Sequence, residues 1–185
     1  MNRTSPADGS RPEHFDAGPL SHCDVTLLEG RSVAYWTCPR TDVTERTAVN
    51  EIPGVFTELA LCLAPERLVV VGRSTGRHTV PYLDPAYRAT TVLPDTHQTV
   101  LVGDDHTDNW VSRAHFTLRG AGDGGVVFIN GVPRIGGGVR PPMNGTWLVA
   151  PAVRFLDPGE EVRIGCGETV AIRLPNHCVL QLKAR

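Results

Sequence analysis

The chain has 185 residues, which is enough for one ordinary domain plus an extension. With 41% hydrophobic and 21% charged residues, it can bury a normal core. Its formal net charge of −2 gives no reason to expect nucleic acid or an anionic membrane as a partner. The five cysteines are odd in number and irregularly spaced, which favours reduced thiols in a cytoplasmic protein: Cys23, Cys38, Cys62, Cys166 and Cys178.

The first twenty residues are polar and rich in proline, glycine and serine. They contain no apolar core of the kind found in signal peptides, so we expect a disordered tail over residues 1–20. No apolar run elsewhere approaches the ~20 residues that a membrane-spanning helix requires.

Short apolar or alternating segments separated by turn residues predict β-strands along most of the chain. The predicted strands are Asp24–Leu28, Val33–Thr37, Phe56–Leu63, Arg67–Val71, Thr99–Val102, Ser112–Leu118, Val126–Ile129, Thr146–Val149, Glu161–Ile164, Thr169–Leu174 and Cys178–Lys183. Many short strands without a convincing helix indicate an all-β fold, a two-sheet antiparallel β-sandwich with long loop insertions.

The domain organisation predicted from this pattern has three parts. A tail covers residues 1–20, an N-terminal extension covers 21–54, and the sandwich covers 55–185. Within the extension, Glu29-Gly30-Arg31-Ser32 between two predicted strands suggests a hairpin. At the other end of the chain, Pro175-Asn176-His177 joins the last two strands as a hairpin loop.

The segment Ser112-Arg113-Ala114-His115 places a hydroxyl, a guanidinium and an imidazole within four residues. If the strand begins at Ser112, then Ser112 and His115 point to opposite sides, because successive side chains of a strand alternate. A hydrolase that uses this pair is therefore disfavoured, since a serine nucleophile needs its histidine within hydrogen-bond reach. We expect Ser112 and Arg113 to face a ligand while His115 supports the loop from behind.

Two further pieces are weak signals when each is taken alone. Gly72-Arg73 ends an apolar run, as an ordinary strand end would, and Asn144-Gly145 before Thr146 is a common turn signal. A zinc site is disfavoured, because the chain has no Cys-x-x-Cys pair and its nearest cluster is His22, Cys23 and Cys38. We expect neither a metal nor a cofactor.

Taken together and in order, Gly72-Arg73, Ser112-x-x-His115 and Asn144-Gly145 resemble the motif pieces of the forkhead-associated (FHA) domain family. The likeness covers about residues 55–174. It implies a β-sandwich that binds phosphothreonine peptides through loops at one end. Arg73, Ser112, Arg113 and Asn144 would then contact the phosphopeptide, whereas Gly72, His115 and Gly145 would shape the loops.

The sequence departs from the family pattern at two places. The gap between Arg73 and Ser112 is long, so about residues 75–98 read as an insertion; a rival alignment makes Gly103 the family glycine, with Asp104 in place of the arginine. The second departure is the segment Asn130–Met143, which would either contribute to a peptide groove or cover it.

The favoured hypothesis is a non-catalytic adaptor module in serine/threonine kinase signalling, with a phosphothreonine protein or peptide, such as a kinase or its substrates, as partner. The alternative is an FHA-like structural or protein-interaction domain that does not bind phosphate, which the Gly103-Asp104 alignment would favour. A further hypothesis is that Thr41, Thr44 or Thr47, once phosphorylated, closes the site from within the chain.

Overall fold

The computed structural model describes residues 19–30, 34–39, 50–53, 57–65, 68–73, 96–102, 110–134 and 136–185. Within these ranges the protein is all-β and has no helix. The described residues therefore include no helix long and apolar enough to cross a membrane. The predicted fold class, a two-sheet β-sandwich, is confirmed.

Fifteen strands form in the described part of the chain. In chain order they are β1 (Ser21–Glu29), β2 (Ala34–Pro39), β3 (Asn50–Pro53), β4 (Glu58–Leu63), β5 (Val69–Gly72), β6 (Thr96–Leu101), β7 (Phe116–Gly120), β8 (Val126–Ile129), β9 (Val132–Pro133), β10 (Val139–Arg140), β11 (Thr146–Ala150), β12 (Arg154–Leu156), β13 (Glu161–Ile164), β14 (Thr169–Arg173) and β15 (Val179–Ala184).

These strands make two large sheets and one small ribbon. The six-stranded sheet has the order β12-β11-β14-β15-β1-β4, and the seven-stranded sheet has the order β13-β8-β7-β5-β6-β2-β3. The ribbon consists of β9 and β10. All pairings are antiparallel except that of β5 with β6, which run parallel.

The core lies between the two large sheets, where β1 packs on β8 and β4 packs on β7. Strands β1, β4 and β15 alternate between buried and more exposed residues, as expected for strands with one face in the core. Strands β5 and β8 are buried on both faces, which explains their uninterrupted apolar sequences. Phe116 and Phe128 meet in the core with ring centroids 4.7 Å apart.

The hairpin predicted around Gly30 is wrong. Strand β1 pairs with β15 and β4 in the six-stranded sheet, whereas β2 pairs with β3 and β6 in the other sheet. The chain therefore passes from one sheet to the other between Glu29 and Ala34, because both edges of β1 are paired, with β15 and β4, and none is left for β2. The segment predicted as an N-terminal extension supplies strands to both sheets. The hairpin predicted at Pro175–His177 is present, between β14 and β15.

The strand predicted to start at Ser112 begins only at Phe116, and residues 112–115 form a loop. Strand β5 ends at Gly72 beside this loop, since Val71 is paired with Phe116. The loops that carry Arg73 and Ser112 therefore meet at one end of the seven-stranded sheet.

Of the two predicted insertions, 75–98 and 130–143, the structure describes mainly the second. Most of 75–98, together with Gly103, Asp104 and the threonines Thr41, Thr44 and Thr47, lies outside the described residues. Strands β2 and β3 flank those threonines, and their pairing places Pro39 and Asn50 at the sheet end opposite to Gly72. The segment 130–143 contains the β9–β10 ribbon.

Candidate functional site

Gly72 allows the end of β5 to touch the loop that carries Ser112. A Cβ atom on Gly72 would lie 2.1 Å from the carbonyl oxygen of Arg113, so no other residue fits without moving the loop backbone. The backbone N–H of Arg73 donates a hydrogen bond to the carbonyl of Ser112 at 3.2 Å, and that of His115 donates to the carbonyl of Val71 at 2.8 Å. These bonds fix the position of Arg73 relative to Ser112.

His115 lies wholly inside the protein. It links the loop of residues 112–115, which we call the serine loop, to β11. Its Nδ1 accepts a hydrogen bond from the backbone N–H of Ser112 at 3.1 Å, and its Nε2 lies 2.9 Å from the hydroxyl of Thr146. The Thr146 hydroxyl donates to Oδ1 of Asn130 at 2.7 Å, so it must accept from His115 Nε2–H. Only the neutral Nε2–H tautomer satisfies both bonds.

Asn130 completes this chain of hydrogen bonds, which we call the loop relay: Ser112 N–H, His115, Thr146 and Asn130. The amide nitrogen of Asn130 donates to the carbonyls of Leu156 and Asp157 at 3.1 and 3.0 Å. The relay thus runs from the serine loop through the protein interior to the β12–β13 turn. Burial lowers the pKa of His115 to about 3, so the imidazole is neutral at physiological pH.

The structure gives a different reason why Ser112 and His115 do not act as a nucleophile and its base. They do not alternate along a strand; both lie in a loop, and the bond between them joins the serine backbone to the imidazole. Both imidazole nitrogens are engaged in the loop relay, which leaves neither to accept a proton from the Ser112 hydroxyl. The argument against a serine nucleophile therefore rests on these bonds.

The serine loop is also bonded to the segment before β11. The hydroxyl oxygen of Ser112 accepts a hydrogen bond from the backbone N–H of Met143 at 2.7 Å, and the side-chain amide of Asn144 donates to the carbonyl of Trp110 at 2.7 Å. The Met143 and Trp110 side chains are exposed beside these contacts. Gly145 leaves room for the ring of Phe155, whose nearest carbon would lie 2.0 Å from a Cβ there.

These loops border a cavity of about 560 Å³. Its described lining includes Arg73, Ser112 and Arg113 from the first two loops, and Arg134, Arg140 and Met143 from the segment after β8. Of the residues predicted to contact a ligand, the structure thus brings Arg73, Ser112 and Arg113 to one cavity. Asn144 lies next to it, bonded to Trp110, while His115 is buried behind the loop.

The charged side chains among the described residues that line the cavity are all arginines. Partial burial, and then the nearby charge of Arg113, lower the pKa of Arg73 from its ordinary value. Two guanidinium groups that line one cavity and repel each other favour the binding of an anion there. Among the described residues, no three metal-ligating side chains come together.

Four residues of this region were not identified from the sequence. Thr146 and Asn130 carry the loop relay, and Arg134 and Arg140 line the cavity. The only signals were the polar residues Thr146, directly after Asn144-Gly145, and Asn130, directly before Gly131. Both resemble ordinary turn residues, because a single buried hydrogen bond leaves no periodic pattern in a sequence.

A scan against models of protein families finds no match to the chain, and searches of curated proteins and of solved structures find no similar protein.

Proposed function

We propose that the protein is a phosphothreonine-peptide-binding module of the forkhead-associated type, an adaptor in serine/threonine kinase signalling. The observation that carries the proposal is that Arg73 lines one cavity at one end of the sandwich together with Ser112 and Arg113, although it precedes Ser112 by 39 residues in the chain. Loops at the end of a rigid β-scaffold are a common location for binding residues.

The donors at this cavity suit a phosphate group. A phosphorylated threonine carries a charge of about −1.5 to −2 and several acceptor oxygens. Arg73 offers a forked, permanently charged donor set. The Ser112 hydroxyl already accepts a bond from Met143, so its own hydrogen remains to be donated to a ligand. Arg113 adds a second cation whose repulsion with Arg73 a bound anion would relieve.

Preorganisation supports the same proposal. The loop relay and the contact of Gly72 with Arg113 hold the serine loop in place before any ligand arrives. A ligand therefore does not have to order this loop, which reduces the entropic cost of binding. The Asn144 amide, fixed through Trp110, retains a second N–H and an acceptor oxygen that suit the backbone of a peptide beside the phosphothreonine.

The proposal is tested by measuring the binding of fluorescent phosphothreonine peptides from a degenerate library and of the same peptides without phosphate. We expect binding that depends on the phosphate. Arg73→Ala and Ser112→Ala should each lower the affinity at least tenfold, or about 1.4 kcal/mol, with little change in melting temperature.

Arg173→Ala is the matched control, because Arg173 is an exposed arginine at the end of β14 and does not line the cavity. Equal affinity for phosphorylated and unphosphorylated peptides, or equal losses in the Arg73 and Arg173 variants, would contradict the proposal.

A second candidate is a structural or protein-interaction domain that does not bind phosphate. It is favoured by the internal bonds of the two polar groups at the site, since the Ser112 hydroxyl is held by Met143 and the Asn144 amide holds Trp110. Under this alternative, the same titration shows no preference for phosphate while Ser112→Ala lowers the melting temperature.

We further propose a cytoplasmic location and a serine/threonine kinase or its substrates as partners. The free thiols of Cys23, Cys62 and Cys166 support a reducing compartment. An adaptor that reads phosphothreonine would act downstream of such a kinase without catalysing a reaction, and its binding would require no cofactor.

A further inference from the structure

We propose that Arg134 and Arg140 form a second anion subsite, so that the preferred ligand carries a second anionic group close to its phosphothreonine. This inference rests on the proposed function. It assigns a role to the β9–β10 ribbon, and it narrows the ligand to peptides with two neighbouring negative groups.

The pairing of the ribbon places both arginines on one face. Arg140 is the cross-strand partner of Val132, and the backbone N–H of Arg134 bonds to the carbonyl of Gly138 at 3.0 Å. Residues 132 and 134 lie on the same face because side chains repeat every second position of a strand, and cross-strand partners share a face. Both arginines accordingly line the cavity that also contains Arg73.

The ribbon is attached firmly to the sandwich. The hydroxyl of Thr117 in β7 donates to the carbonyl of Gly131 at 3.0 Å, and the backbone N–H of Asn130 donates to the carbonyl of Glu160 at 2.9 Å. A Cβ on Gly131 would lie 2.4 Å from the carbonyl oxygen of Arg140, so the two ribbon strands pack tightly at this point. Because Asn130 also ends the loop relay, the ribbon and the serine loop share one anchor.

The cavity is larger than one phosphate group and brings four arginines together. Its described lining contains Arg73, Arg113, Arg134 and Arg140. A volume of about 560 Å³ lies within the roughly 300–1,000 Å³ of pockets that hold drug-sized ligands. In an extended peptide, residues two or three positions apart are about 7–10 Å apart, which is a suitable spacing for two anionic groups in one cavity.

The test uses four series of fluorescent peptides with one common sequence. They carry threonine, phosphothreonine, phosphothreonine with a phosphoserine placed one to four positions away on either side, and phosphothreonine with an aspartate at those positions. Affinities are measured by fluorescence anisotropy at about 0.05 and 0.15 M salt, because exposed charges are increasingly screened between these conditions.

For the wild-type protein we expect at least one spacing at which the second anion tightens binding tenfold or more over the singly phosphorylated peptide. The double variant Arg134→Ala/Arg140→Ala should abolish that gain while keeping its affinity for the singly phosphorylated peptide within about threefold. Arg134→Lys/Arg140→Lys should recover part of the gain, since the charge is kept and only the fork is lost. Arg173→Ala/Lys183→Ala removes two positive charges away from the cavity and should behave as wild type.

The outcomes separate the two proposals. Phosphate-dependent binding without any gain from a second anion overturns the subsite and leaves the proposed function standing. A gain that survives in the Arg134→Ala/Arg140→Ala variant has the same meaning. Binding that ignores phosphate altogether overturns both. A gain in both the phosphoserine and aspartate series assigns the subsite to any anion, and a gain in the phosphoserine series alone assigns it to a second phosphate.

Discussion

The Nε2 atom of His115 lies 2.9 Å from the hydroxyl of Thr146, 31 residues further along the chain, with both side chains buried. This bond joins the loop of Ser112 to the first residue of β11. Because the Thr146 hydroxyl in turn donates to Asn130, three loops at the cavity end of the sandwich depend on one buried hydroxyl group.

Thr146→Val removes that hydroxyl and keeps the shape of the side chain. It leaves the His115 N–H and the Asn130 carbonyl oxygen buried without this partner, so we expect a loss of about 2–3 kcal/mol in the free energy of unfolding. Urea denaturation measures the loss, and phosphopeptide affinity should fall as the serine loop loosens. Thr169→Val, at an exposed threonine, should change stability by less than about 0.5 kcal/mol. Equal effects of the two substitutions would show that the relay contributes no stability.

The buried imidazole should make stability depend on pH. The pKa of His115 is lowered from 6.5 to about 3, so the unfolded chain takes up a proton at a pH where the folded protein does not. The contribution of His115 is therefore complete above pH 6.5 and is lost as the pH falls toward 3, with a slope of at most about 1.4 kcal/mol per pH unit.

His115→Asn provides the comparison, because it keeps an acceptor near the Ser112 N–H and cannot titrate. The difference in unfolding free energy between wild type and this variant should shrink as the pH is lowered from 7 to 4.5. A difference that stays constant over this range would mean that the histidine takes up a proton as readily in the folded protein as in the unfolded chain.

Gly72→Ala tests the contact between β5 and the serine loop. Its Cβ would lie 2.1 Å from the Arg113 carbonyl oxygen and 2.9 Å from that of Ser112, so the loop backbone must move. We expect a loss of about 1–3 kcal/mol in stability together with loss of phosphopeptide binding. Gly165→Ala is the control, since its nearest neighbour is the flexible Glu168 side chain at 3.1 Å. Wild-type stability and affinity in Gly72→Ala would contradict the described loop position.

Asn144→Asp replaces the amide donor that holds the Trp110 carbonyl with a carboxylate oxygen. Phosphopeptide affinity should fall roughly fivefold, or about 1 kcal/mol, because the Trp110 loop loses its tether. Since Asn144 is only half-buried, the unfolding free energy should change by less than about 1 kcal/mol. Asn144→Ala removes the donor without adding a charge, so a loss restricted to the aspartate variant would assign the effect to repulsion of the phosphate.

The sequence by itself determined the fold class and the order of the loop motifs. Alternation in segments such as Glu161–Ile164 and Thr169–Leu174 predicts strands, because burying one face of a sheet imposes a period of two residues. The sequence also identified Gly72, Arg73, Ser112 and His115 as residues of interest, since their residue types at those positions resemble a known pattern. The structure places them together at one end of the sandwich.

Only the tertiary structure decided which strands pair and which polar groups meet. Gly30 is a typical residue of a hairpin turn, yet β1 and β2 belong to different sheets. The strand with which each one pairs depends on burial against distant strands. The bond between His115 and Thr146 spans 31 residues, and Arg134 and Arg140 reach the cavity of Arg73 through a short ribbon held by Gly131. Such contacts form when segments far apart in the chain pack around a common core, and a local pattern of residues does not predict them.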